Sequence, residues 1–138
     1  MCVLRACGRT LDIDAFLSKS RMKPCVIWHR GEPHWAHKPE GPKKNNSGAN
    51  FAVSNASWKQ LNRQTAQAVR FLKKHRNDIK RLSKMPGIST FCLDFPVDTR
   101  FGPKVCVQGE TFPAELVKLS GSLGLAIWVS IYPENDEE

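Results

Sequence analysis

Three features of this 138-residue chain predict an α+β fold: a ferredoxin-like split βαβ sheet with an appended C-terminal helix and strand. Strand-like and helix-like patterns follow one another in the order strand, helix, strand, strand, helix, strand. The stretch from Ser57 to Pro86 carries an apolar stripe on one side only, which suits a helix lying on a sheet. Beyond it, a further helix pattern and a further strand pattern complete the chain.

Val3 to Cys7 reads as a short strand ended by Gly8. Leu11 to Ser20 has helical spacing, with Asp12 and Asp14 in its first turn and Pro24 after its end. Cys25 to His29 is β-branched and aromatic, hence a second strand. Residues 31 to 49 hold three prolines, three glycines and the polar run Lys43 to Ser47, and predict a long mobile loop. Asn50 to Ser54 is the third strand.

One long helix is then expected, opened by a capping box of Ser57 and Gln60 and stopped by Pro86-Gly87. Trp58, Leu61, Thr65, Ala68, Val69, Leu72, Ile79 and Leu82 share its apolar side. Lys59, Arg63, Arg70, Lys73, Lys74, Arg76, Lys80, Arg81 and Lys84 share the other, nine bases against the single acid Asp78. Thr90 to Val97 alternates Phe91, Leu93, Phe95 and Val97 on one face, a fourth strand, and Lys104 to Gln108 is a candidate short fifth. Pro113 to Ser122 is the last helix, and Leu125 to Tyr132 the closing strand. The opposite sheet face would carry Trp128 and Tyr132, to be covered by the loop, an appended element or a second subunit.

The length fits a single α+β domain over residues 1–133, followed by an acidic tail over 134–138. Charged and apolar fractions of 25% and 41% argue against disorder. The net charge of +8 favours polyanionic or acidic partners without choosing among them. No signal peptide and no membrane-spanning run is legible, so no membrane association and a cytoplasmic location are expected. The five cysteines (Cys2, Cys7, Cys25, Cys92 and Cys106) form no CxxC and read as buried reduced thiols.

Chemistry-bearing patterns are few. His29, His34 and His37, with Glu32 among them, are the nearest approach to a zinc-ligand cluster, but no matching pair exists elsewhere. Cysteine and histidine could in principle form a nucleophile and its base, yet the strands bury the thiols. Asp94 reads as a strand residue on the less apolar face, and no carboxylate pair is marked for acid–base work. Gly121 to Gly124 follows a helix instead of opening one, so it is no phosphate cradle. Against the RNP1 pattern of RNA-recognition modules, Ser47 to Ser54 matches only at Gly48 and Phe51; aromatics are missing at Ala49 and Ser54, and the first strand offers Arg5 and Cys7.

Taken together, Gly31-Glu32-Pro33, Ser47-Gly48, Phe51 to Ser54, Phe71 to His75, Pro86-Gly87, Leu93-Asp94-Phe95, Pro113 to Leu116, Ser120 to Leu125 and Ser130 to Pro133 resemble a family of uncharacterised bacterial proteins, a domain of unknown function. The resemblance spans nearly the whole chain, rests on turn, cap and core residues, and implies a shared fold without a catalytic residue or cofactor. The expected function is a non-enzymatic module that binds a protein partner, in the manner of an immunity protein. Arg63, Arg70, Lys74, Arg81, Trp128 and Tyr132 are its binding residues, and a homodimer is one form of it. The alternative is nucleic-acid binding through the basic helix face; a third is a small-molecule or hydrolytic site in the Trp28–His37 segment.

Overall fold

The computed structural model describes residues 1–133, so the acidic tail expected over 134–138 lies outside the described residues. It is a mixed α+β structure with a five-stranded sheet. The elements are β1 (Val3–Gly8), α1 (Ile13–Leu17), β2 (Val26–Trp28), β3 (Ser47–Ala52), α2 (Leu61–Lys74), α3 (Arg76–Ser83), β4 (Thr90–Asp98), α4 (Ala114–Ser122) and β5 (Ala126–Tyr132).

The sheet order is β2-β3-β1-β4-β5. β1 is antiparallel to both β3 and β4, and β2 is antiparallel to β3. Thus α1 carries the chain from β1 to β2 across β3, while α2 and α3 carry it from β3 to β4 across β1. The appended α4 leads to β5, which lies parallel to β4 and forms one edge of the sheet.

Register decides which residues share a face. Leu4 is opposite Phe51 and Leu93, and with Ala6, Ala49 and Phe95 it faces the helices. There it meets Phe16 of α1, Ala68 and Leu72 of α2, Ile79 and Leu82 of α3 and Leu116 of α4, all buried. Each fully buried Leu or Phe contributes roughly 1.5–3 kcal/mol from area removed from water. The expected apolar stripe therefore packs from Leu61 to Leu82, whereas Trp58, expected on the same side, is exposed.

The long helix is not one rod. His75 departs from helical angles (φ −106°, ψ 20°) and divides it into α2 and α3. Its start also differs: Gln60 is the N-cap without a side-chain cap bond, so the Ser57–Gln60 capping box does not form. Instead the side chain of Gln64 is buried and donates to the carbonyls of Ser57 (3.0 Å) and Pro96 (2.9 Å), tying the helix start to β4. A buried tertiary bond has displaced a local cap.

Over the segment expected to be mobile, residues 31–49, the backbone closes on itself. Gly31 N–H donates to Lys44 and Lys44 N–H to Glu32 (both 2.8 Å), His34 N–H donates to Pro42 (3.0 Å), and Ser47 to Ala49 belong to β3. Lys104 to Gln108 forms no strand; only a bridge between Gly102 and Val105 occurs there. Gly48 is required by a close approach: a Cβ would meet the Ala6 carbonyl at 2.4 Å and the Trp28 ring at 2.6 Å. Gly87 has φ +83° in the turn after α3, a region side chains disfavour.

Candidate functional site

The sheet face turned away from the helices is built around one ion pair. Arg5 faces Asn50 and Cys92 across the strands, and its Nε and Nη2 both approach Asp94 Oδ2 at 2.8 Å. Ser130 of β5 donates to Asp94 Oδ1 at 2.6 Å. Asp94 is buried, and these bonds link β1, β4 and β5 through one carboxylate. The arrangement is a tie between strands: both carboxylate oxygens are occupied, as burial of a charge requires. Burial pushes the thiols of Cys2 and Cys92 up, with the nearby Asp94 charge adding to it, so neither is a ready thiolate. Cys25 and Cys106 are exposed, where buried thiols were the expectation.

Trp28 lies over Gly48 at the β2 end of this face, its Nε1 donating to Asn46 Oδ1 at 2.7 Å. With Val26, Lys44 and Asn50 it lines a cleft of about 330 Å³. The Asn50 side-chain oxygen is buried there without a hydrogen-bond partner among the described residues.

The expected metal candidates do not converge. His29 Nδ1 contacts Glu32 and Nε2 contacts Asp14, each at 2.8 Å, whereas His34 lies against Trp35 and His37 is exposed. The hydrogen bond to Glu32, then that to Asp14, raise the His29 pKa. Glu32 is correspondingly lowered, chiefly by its hydrogen bonds with His29. While protonated and donating to both carboxylates, His29 has no lone pair to offer a metal or a substrate. Among the described residues, no three His, Cys, Asp or Glu are placed to share a metal ion.

The basic residues divide into tied and untied. Arg81 lies 4.9 Å from the Phe16 ring centroid, donates to the carbonyl of Lys19 and pairs with Asp78 at 3.3 Å. It holds α1 against α3 while its side chain stays partly exposed. Lys73 pairs with Glu115 of α4 at 2.6 Å. Arg63, Arg70 and Lys74 are exposed and make no ion pair among the described residues. Arg70 and Lys74 line one shallow groove with Met1, Val53 and Phe71, but the break at His75 ends the continuous basic ridge.

Trp128 and Tyr132 belong to a larger apolar surface. In β5, Trp128 is 61% exposed, Ile131 60%, Tyr132 43% and Val129 37%. Tyr132 packs against Trp58 with ring centroids 5.6 Å apart and the rings tilted by 36°, a contact that leaves Tyr132 43% exposed. Ile127, Val129 and Ile131 are in register with Leu93, Phe95 and Val97, so they point to the helix side, where cover thins out toward Ile131. Val129 and Ile131 were legible as strand residues; only the sheet order makes them edge residues. Ala126–Tyr132 also holds no charge and no proline, the usual devices that keep an edge from pairing.

No curated protein and no solved structure matches the chain. Among the described residues, no helix is long and apolar enough to cross a membrane. A family model described as a domain of unknown function, DUF4279, matches residues 1–134, and the chain belongs to that family.

Proposed function

We propose that the protein is a non-enzymatic binding module that engages another polypeptide strand through β5. The observation that carries this reading is the state of that strand: a seven-residue, uncharged edge with Trp128, Val129, Ile131 and Tyr132 exposed. Strand addition supplies main-chain hydrogen bonds along such an edge, and exposed side chains on both faces select the partner. The thiols raised by burial and the doubly bonded His29 support binding over catalysis.

The test compares affinity capture from native extract by the unaltered chain, by Val129→Lys and by Arg70→Glu/Lys74→Glu, each with nuclease. A partner lost with Val129→Lys and kept with the double variant is the expected result. Capture indifferent to Val129→Lys would sink the reading.

A further inference from the structure

Resting on β5 as the binding edge, we infer that its occupant is β5 of a second copy of this chain, antiparallel about a two-fold axis through Val129. The Tyr132 carbonyl accepts from Thr99 N–H at 3.3 Å, so the backbone groups of Tyr132 point inward to β4. Alternation along the strand then points the N–H and C=O groups of Ile127, Val129 and Ile131 out of the sheet edge.

Centring the two-fold on Val129 pairs Val129 with itself and Ile127 with Ile131, so every outward group of the three finds a partner. The same register sets Trp128 opposite Ser130 and Tyr132 opposite Ala126, large against small, on the face carrying the Arg5–Asp94 pair. On the helix side, Ile127, Val129 and Ile131 of the two copies meet and extend both cores across the axis. No charged side chain lies on the strand to oppose its own copy. A strand from an unrelated protein would require none of this internal symmetry. Isologous pairing does, because each position must suit its symmetry mate.

Sedimentation of the unaltered chain, and mild oxidation of variants with one added cysteine, Val129→Cys or Ile127→Cys, in a Cys25→Ser/Cys106→Ser background, test the proposal. The expected results are twice the monomer mass, a disulfide-linked dimer from Val129→Cys, and none from Ile127→Cys, whose copies the register holds about four residues apart, roughly 13 Å. Circular dichroism confirms that both variants fold. A monomer at every concentration overturns the dimer, as does cross-linking of Ile127→Cys equal to that of Val129→Cys. A monomer whose captured partner is still lost with Val129→Lys overturns the self-pairing alone. Capture indifferent to that substitution overturns the binding edge itself.

Discussion

Asp94 lies on the less apolar side of its strand yet is buried, because Arg5 and Ser130 close over it from the two neighbouring strands. A charge so held is costly to strip of its partner, which favours keeping the trio as a unit. His29 works differently, being half exposed between Asp14 and Glu32. Its raised pKa means that the folded state binds the proton more tightly than the unfolded chain. Its contribution is therefore fully present below the ordinary value of 6.5 and is lost as pH climbs through the raised one. Glu32, held low, adds a contribution present above its ordinary 4.5 and lost as pH falls through the lowered value. Between these limits the clamp between α1 and the 31–46 loop is closed. Amide exchange in that loop should quicken as pH rises through the histidine titration, beyond the base-catalysed trend, and His29→Gln should abolish the excess. An unchanged excess in the variant would refute the clamp.

At the scale of elements, the lone acid of the basic segment joins two of them. Asp78 lies in the first turn of α3, where a helix favours negative charge, and accepts from Arg21 N–H at 2.9 Å and the Ser20 hydroxyl at 3.2 Å. It also pairs with Arg81, whose guanidinium covers Phe16. One carboxylate thus docks the α1–β2 connection onto α3. Asp78→Ala should cost about 1–3 kcal/mol by urea unfolding and release protection at Arg21. Asp78→Asn, which keeps an acceptor, should recover part of the loss. A cost near zero would show that the connection is held by Phe16 and Met22 packing alone.

Across the whole molecule, the helices cover one sheet face but leave much of β5 exposed, while Arg63 and Arg70, without an ion pair among the described residues, lie on α2. Two chains of net charge +8 repel one another. Screening shortens that repulsion from about 30 Å at 0.01 M salt to about 8 Å at 0.15 M. Self-association through an uncharged strand should accordingly tighten as salt rises, measured by sedimentation equilibrium. Binding of a nucleic acid through Arg63, Arg70 and Lys74 would weaken over the same range, because it depends on counterion release. The sign of the salt dependence separates the two.

Local pattern was enough for the α+β class, the core stripe from Leu61 to Leu82, the alternation of β4 and the helix–strand pair at the C-terminal end, since periodicity reports burial directly. It misplaced the start of the long helix, where Gln64 reaches Pro96, a residue remote in sequence, and it missed the break at His75. It found no partner for Arg81 or for Asp94, because a charge's role is set by what the fold places beside it. Position in the sheet was the last thing left to tertiary structure. The residues from Ala126 to Tyr132 read the same whether central or peripheral, and only the packing order β2-β3-β1-β4-β5 leaves one side of their backbone unpaired among the described residues.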